Sequence, residues 1–572
     1  MKKYIIIAAL LASTGVFAQQ QDSLLRRQME LERDFNPTLQ DANKITSLPA
    51  VPQPTIRKAN TAYSTWAGRT TPPLEIALPR PGTIMTEIPF STKKGYITLN
   101  AGNYANIDGA LGYRLLETDK NSLAFSFLHN STNGTVNYVQ ESDPKNNKAF
   151  LMDNLGQLKY DHLFDAFKLN LRTSYLHSLF NYYGNTFGNT RYFDNENQRL
   201  GVANINVGVE SKKSDFMTYR GYLDFKNFGT KFGETLTSEG VKGNQIDAMV
   251  GLAKPFQGGD SKVGVDGQFF GTFYSGDISN YSLAKAAPYI QFEGLNWNAK
   301  LGADVLFQLA NKAKVRVAPN VNLQYNVTEH SSLYANVLGG FAHNTFLEIM
   351  NESRYIHPIT AAMVKPAFSI VDVEVGAKIG EVSGFRFDIF GGFKQTDDEH
   401  FLILENRPQH VQIPPDMLLV DEFLTPIYGN LTHSHIGGMI QTNIWAPLDI
   451  ALRVKKNFYT VKDIMYRESA ISDGKAYNKP GFEADIRATF EAMSNLKFTL
   501  NYYFAGDRWS YFDGANVEMD AINDLNIGAI YQLNDAFSIN LKANNLLFQK
   551  YDIWYGHPAQ GFNAMGGFTF KF

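Results

Sequence analysis

The chain has no cysteine among its 572 residues. That excludes a disulfide scaffold, a thiolate-held metal and a thiol nucleophile. It also excludes a lipoprotein, which needs a cysteine at its processed N-terminus. Charge is sparse: Asp, Glu, Lys and Arg make up 19% of the chain, below the roughly 25% of soluble domains. The formal net charge is -3, so no electrostatic case exists for a nucleic-acid partner. Beyond the first residues no run of about 20 apolar residues occurs, which removes any membrane-spanning helix. Aromatics, by contrast, are abundant, with 42 Phe and 29 Tyr against only 5 Trp.

The start "MKKYIIIAALLASTGVFAQQ" has a basic head at Lys2 and Lys3, an apolar run and small residues at Val16 and Ala18. This pattern predicts a signal peptide over residues 1–18, cleaved after Ala18. The run is too short to serve as an anchor helix across about 30 Å of hydrocarbon. An exported aromatic-rich chain without helical spans is either a secreted β protein or a membrane barrel.

From Gly95 onward the dominant period is two. Ala203, Ile205, Val207 and Val209 alternate with Asn204, Asn206, Gly208 and Glu210. Leu496, Phe498, Leu500, Tyr502 and Phe504 alternate with Lys497, Thr499, Asn501 and Tyr503. At the end, "GGFTFKF" places Phe568, Phe570 and Phe572 on one side of a strand and Thr569 and Lys571 on the other. Soluble sandwiches alternate too, so connection lengths carry the discrimination. Joints such as "ESKKSD", "GEVSG", "AMSN" and "LNDA" are short. Between them lie long polar stretches, among them "GETLTSEGVKGN", "TDDEHFLILENRPQHVQIPPDMLLVDEF" and "DIMYRESAISDGKAYNKPG". "ANKAK" is short where a long connection is due. Tight turns at one rim and long loops at the other characterise outer-membrane barrels. A sheet in lipid must close, because lipid cannot satisfy open edges. The expectation is therefore all-β: a transmembrane antiparallel β-barrel of about 22 strands over residues 95–572, with the terminal phenylalanines facing lipid. A secreted sandwich or propeller array is the alternative, although no blade repeat is visible.

Residues 19–94 differ. They hold Pro37, Pro49, Pro52, Pro54, Pro72, Pro73, Pro79, Pro81 and Pro89. "DSLLRRQMELERDFNP" has the signals of a short helix, capped at Asp22 or Ser23 and stopped at Asn36-Pro37. The remainder predicts extended, polyproline-like chain. A free tether would not need Leu74, Ile76, Leu78, Ile84 and Ile88, so this periplasmic segment is expected to lie inside or beneath the barrel.

The stretch "NNLLFQKY" from Asn544 to Tyr551, followed by a loop and a strand ending in an aromatic, resembles the C-terminus of TonB-dependent receptors. The resemblance implies a 22-strand outer-membrane barrel and uptake of a nutrient across the Gram-negative outer membrane with a TonB system as partner. It also implies that Phe572, with Phe570 and Phe568, forms the signal read by the barrel-insertion machinery. The family fills its barrel with an N-terminal plug of well over a hundred residues. Here about 76 proline-broken residues precede Gly95, and no plug is recognisable.

Few constellations suggest chemistry. Asp397, Asp398, Glu399 and His400 cluster at the expected start of a long loop; such oxygens can hold Ca²⁺, but solvated loop acids are commoner. His433 and His435 project to the same side of one strand, a spacing that can chelate zinc given a third ligand, and none is visible. Asp449, Arg453 and Lys455 lie on the polar face of a strand and are expected to line the lumen. Aromatics in "FNYYGNTFGNTRYF" suit either ligand stacking or, nearer strand ends, an interfacial girdle. No nucleophile signature or phosphate loop appears, so neither enzyme activity nor a cofactor is expected. The leading expectation is a nutrient-uptake barrel. The alternatives are a plugless structural or assembly subunit docking an envelope lipoprotein, and a passive channel.

Overall fold

The computed structural model describes residues 93–572 except 140–146, 185–195, 213–215, 234, 236, 257–260, 277, 310–312, 383, 407–421, 446 and 468. The expected signal peptide and all but the last two residues of the 19–94 segment lie outside the described residues.

Twenty-two strands form one antiparallel sheet that closes on itself. The first, Gly95–Gly102, pairs on one side with Ile107–Glu117 and on the other with the last, Asn563–Lys571. Closure runs from Tyr96 opposite Lys571 to Gly102 opposite Met565. Beyond that ladder, Gly95 and Phe572 exchange two backbone hydrogen bonds, at 2.8 and 2.9 Å. The strand count and the terminal wall strand expected from the sequence are both present. An even number of strands brings the two ends of the sheet to one rim.

The period-two pattern separates the two faces. On the outer face Leu99, Ile205, Val250, Val317, Ile389 and Leu541 are exposed. Phe568, Phe570 and Phe572 are 37%, 41% and 43% exposed, while Thr569 between them is 2% exposed. So large an apolar surface is unfavourable in water, whereas a bilayer solvates it. The inner face carries cross-strand polar ladders instead. Tyr222 and Gln268 both donate to Asp247, Arg220 pairs with Asp266, and Asn320 donates to Asp304. These bonds hold polar side chains in register on the wall.

At the rim shared by the chain's two barrel ends the turns are tight: 118–120, 164–166, 294–296, 329–330 and 494–495. Exposed Phe164, Phe216, Trp297 and Trp445 stand at this rim, where an aromatic belt meets the lipid headgroups. The opposite rim bears the long connections 343–366, 463–481, 507–521 and 545–562. The short "ANKAK" joint is there as expected, and 103–106 and 275–280 are short as well. By their turn lengths the first rim is periplasmic and the second extracellular.

One expected loop is corrected. "TDDEHFLILEN" and "EFLTPIYGN" continue two wall strands, Phe385–Asn406 and Glu422–Thr442, beyond the rim as a paired ribbon. Leu402, Leu404 and Leu424 pack on one side of it, Phe401, Ile403 and Ile427 on the other. A strand buried on both faces is apolar at nearly every position. That continuous apolar run hides the alternation that marks the rest of the wall.

Candidate functional site

The extracellular mouth is covered by its own connections. The chain between Ser331–Ala342 and Ala367–Val382 enters a short helix, α1 (Phe346–Glu352). Thr345 caps it reciprocally: its hydroxyl accepts from the Glu348 amide at 3.2 Å, and the Glu348 carboxylate accepts from the Thr345 amide at 3.0 Å. A helix of about two turns is marginal alone, and burial of Phe346, Leu347, Ile349 and Met350 holds it in place. A 3-10 turn, Pro358–Ala362, follows, with proline at its start where a missing N–H costs nothing.

These elements reach across the barrel. Gln245 donates to the Thr345 hydroxyl, and the Phe346 amide donates to the Tyr274 hydroxyl at 3.1 Å. Tyr182 donates to the Ile356 carbonyl at 3.3 Å. Ile356 forms a parallel bridge to Leu424 of the ribbon. Tyr355 packs edge-on against Phe180 and Tyr183 and stacks on His557 at 4.8 Å between centroids. His557 belongs to a tight hairpin, Asp552–Trp554 with His557–Pro558, from the last extracellular connection. Tyr183 donates to the Pro558 carbonyl at 3.0 Å. Gly184 leaves room for this contact, since a Cβ there would fall 2.1 Å from His557 Nε2. Phe180, Phe346 and Ile356 are fully buried in the resulting core. The "FNYYG" aromatics expected in an interfacial girdle are thus roof residues; the rest of that stretch lies outside the described residues.

Arg508 anchors the other side. It is fully buried at the base of the hairpin Arg508–Phe512 with Ala515–Met519. Its guanidinium donates to the backbone carbonyls of Asp520, Asp552 and Ile553. Burial pulls its pKa down to about 10, and it remains charged at neutral pH.

The acidic cluster Asp397–His400 lies within the long strand, at a bulge where Asp398 has φ +56°. Its members do not converge on a point. Asp397 pairs with Arg316 at 2.8 Å, Asp398 with Lys365 at 2.6 Å, Glu399 with Lys479 at 2.9 Å and His400 with Glu352 at 2.6 Å. Three carboxylates and an imidazole, each engaged by a separate partner, do not make a cation cage. The last two pairs, beyond the rim, tie α1, the ribbon and the 463–481 connection together. Burial alone would raise the Glu399 carboxyl, but Lys479 and His400 outweigh it and bring the pKa down to about 2. At Glu352 burial is likewise overcome by His400, and the pKa falls. Burial disfavours the His400 imidazolium, yet Glu352 prevails and the pKa rises.

His433 and His435 share a face, as expected, with rings stacked 5.2 Å apart. His433 Nε2 meets Asn457 Oδ1 at 2.9 Å, and His435 lies 3.9 Å from Glu374. Among the described residues no three His, Asp or Glu side chains are grouped to hold a metal. Asp449, Arg453 and Lys455 lie on the same face as this histidine pair. Asp449 accepts from Gln441 at 3.3 Å, Arg453 stands opposite Asp485 and over the Phe390 ring, and Lys455 stands opposite Glu483. The roof has no motif in the sequence; its clues are apolar segments inside stretches otherwise polar enough to pass for loops.

Neither a family model nor a curated protein matches the chain by sequence. Solved structures do match by shape. A ferric enterobactin receptor from Pseudomonas aeruginosa, PfeA, aligns with TM-score 0.60 at 10% identity, covering 84% of this chain and 81% of that one. The siderophore receptor PiuA from Acinetobacter baumannii aligns with TM-score 0.59 at 12% identity, covering 84% and 82%. The copper transporter OprC aligns with TM-score 0.59 at 10% identity, covering 84% and 80%. At such identities the likeness establishes the fold: the large closed barrel of outer-membrane receptors.

Proposed function

We propose that the protein is an outer-membrane uptake barrel for a solute too bulky or too scarce for open pores, with an outer mouth kept shut by its own loops. The observation that carries this reading is the packed roof on a barrel shaped like receptors for siderophores and a transporter for copper. A 22-strand barrel is wide enough to be a large hole unless something fills it, and a roof with fully buried Phe180, Phe346 and Ile356 opposes steady leakage. In this reading Asp449, Arg453 and Lys455 belong to a hydrated inner wall, and Phe568, Phe570 and Phe572 are the insertion signal. Opening such a roof against its own core needs work, which motivates a TonB-type energy source as partner. The test is twofold. The purified protein in planar bilayers is expected to be silent, and its deletion is expected to abolish growth on one nutrient in a TonB-dependent way. Large steady currents, or no nutrient phenotype, would sink the proposal.

The same roof supports a second reading: a sealed barrel that serves as a structural subunit of an envelope assembly. Stoichiometric co-purification with a lipoprotein, without any nutrient phenotype, is the outcome that selects it.

A further inference from the structure

The lipid-facing side of the wall carries a cluster that lipid does not suit. His129 stands on that side with Leu99, since a Cβ on Gly109 would come within 3.5 Å of both side chains. Its Nδ1 lies 2.8 Å from Asn154 Oδ1 and its Nε2 lies 3.0 Å from Ser131 Oγ. His177 stands opposite Asn154 in register. We propose that this sector is an interface and that its occupant is a second copy of the chain, forming a symmetric dimer within the outer membrane. This goes beyond the transport reading and stands for either proposed function, because it concerns the outside of the barrel.

Three observations support it. The first is depth. Asn154 is the eighth of 17 residues in Asn147–Leu163, and His129 is the ninth of 16 in Asn121–Val136. Both lie near mid-strand. On the face of Asn154, Phe150 and Met152 stand toward the extracellular rim, and Leu158 and Tyr160 toward the periplasmic one. Polar and ionisable groups at that depth are costly against lipid, and in membrane proteins they face other protein or water.

The second is unspent hydrogen-bonding capacity. Asn154 Nδ2 and the His177 ring have no hydrogen-bond partner among the described residues. The amide can donate, and a neutral imidazole can accept. Hydrocarbon satisfies neither, whereas a facing wall that carries the same two groups satisfies both.

The third is that the sector fits itself. Tyr175 is 55% exposed and stands opposite Gly156 in register. Its ring leans toward the next strand, where the hydroxyl would lie 3.3 Å from a Cβ on Gly201. A Cβ on Gly156 would meet nothing within 4 Å, so a hollow lies open there. Donor and acceptor, knob and hollow are thus shared between the same two strands, Asn147–Leu163 and Phe167–Phe180. A two-fold axis along the membrane normal, passing between these strands, sets Asn154 of each copy against His177 of the other and Tyr175 against Gly156. Such an isologous contact closes on itself, which selects a second copy over an unrelated partner.

The native chain has no cysteine, so Met152→Cys and Leu179→Cys, opposite in register beside the axis, each provide a single cross-linking site. In native outer membranes under mild oxidant, at least one of them should give a disulfide-linked dimer. Ile389→Cys, 59% exposed on a distant wall strand, should not. Adding Gly156→Leu fills the hollow without straining the monomer, because its Cβ has open space. The linked fraction should then fall roughly tenfold, and similarly in Asn154→Leu with His177→Leu. All variants should keep the heat-modifiable gel mobility of a folded barrel. Cross-linking no greater than at Ile389→Cys would overturn the proposal. So would a linked product that holds a different protein in place of the second copy, or a dimer that Gly156→Leu leaves unchanged.

Discussion

Arg354 grips both oxygens of the Asp153 carboxylate, Nη1 to Oδ1 and Nη2 to Oδ2, each at 3.0 Å. Asp153 belongs to the wall strand Asn147–Leu163, while Arg354 lies in the connection after Ser331–Ala342, nine strands further along the sheet. The pair therefore spans the mouth instead of bracing neighbours. Ser178 shares it, donating to Asp153 at 2.5 Å and accepting from Arg354. Forked pairs of this kind fix orientation as well as distance.

From this follows the first prediction. Both side chains are less than a third exposed, at 21% and 25%, so removing either one breaks a charge-assisted pair that water does little to replace. Arg354→Ala or Asp153→Ala should loosen the roof by about 2 kcal/mol, a ~30-fold shift in its opening equilibrium. Thr272 is fully buried opposite Gln245, whose amide donates to the Thr345 hydroxyl at the start of α1. Thr272→Cys should therefore react with a membrane-impermeant thiol reagent on intact cells much faster in either variant than in the native background. The charge-swapped pair Asp153→Arg with Arg354→Asp should restore part of the protection. If all four backgrounds label alike, the pair does not hold the mouth.

A second prediction concerns pH, and its sign is set by two opposite shifts. Glu399 is depressed to about 2, so its contribution is present above the ordinary carboxylate range and is lost only as pH falls through about 2. His400 is raised, so its contribution is complete below the ordinary imidazole value of about 6.5 and is lost as pH rises through the folded value. The clasp should therefore hold through mild acid and weaken on the alkaline side. Hydrogen exchange at the amides of α1, corrected for the intrinsic rate, should quicken above neutrality and not between pH 4 and 6. In His400→Gln that alkaline dependence should vanish.

The third prediction rests on Arg508, which satisfies three backbone carbonyls from inside the protein. Methionine matches its length but donates nothing. Arg508→Met should destabilise the two extracellular hairpins by about 3 kcal/mol or more, since carbonyls and a nearby carboxylate are left without the cation. Protease added to cells should then cut within 545–562 while the barrel keeps its heat-modifiable mobility. Resistance equal to the native protein would show that the hairpins hold without it.

Much of this architecture was legible in the sequence because lipid on one side and water on the other impose a strict alternation. Ala203 to Glu210 and Leu496 to Phe504 carry that alternation, and the short and long connections between such strands separate a barrel from a sandwich. The roof was not legible for the opposite reason. Phe401 to Leu404 are buried on both faces of the ribbon, so four apolar residues in a row lose the period that identifies wall strands. Asp397 to His400 looked like a cluster because they are adjacent in sequence. On a bulged strand their side chains diverge to four different partners, and adjacency stops meaning proximity. Phe180, Tyr182 and Tyr183 resembled a girdle since they end a wall strand; whether such a residue meets lipid or a roof depends on a loop more than 160 positions away.

The last prediction returns to the seam. Gly95 and Phe572 exchange backbone hydrogen bonds, and the Phe572 ring stacks on Tyr113 at 5.9 Å. Five positions earlier, Gly567 leaves no space: a Cβ there would lie 1.9 Å from the Leu99 carbonyl oxygen. Backbone cannot yield as a side-chain tip can, so Gly567→Ala must push the first and last strands apart. Deleting Phe572 removes two closing hydrogen bonds and an aromatic contact but clashes with nothing. The two lesions should therefore differ. Gly567→Ala should lower resistance to urea-induced unfolding of protein already inserted. Deletion of Phe572 should chiefly reduce the amount reaching the membrane, seen as periplasmic accumulation and degradation, and Phe572→Tyr should restore it. Normal membrane levels of the deletion variant would show that the terminal aromatic closes the sheet without acting as a signal.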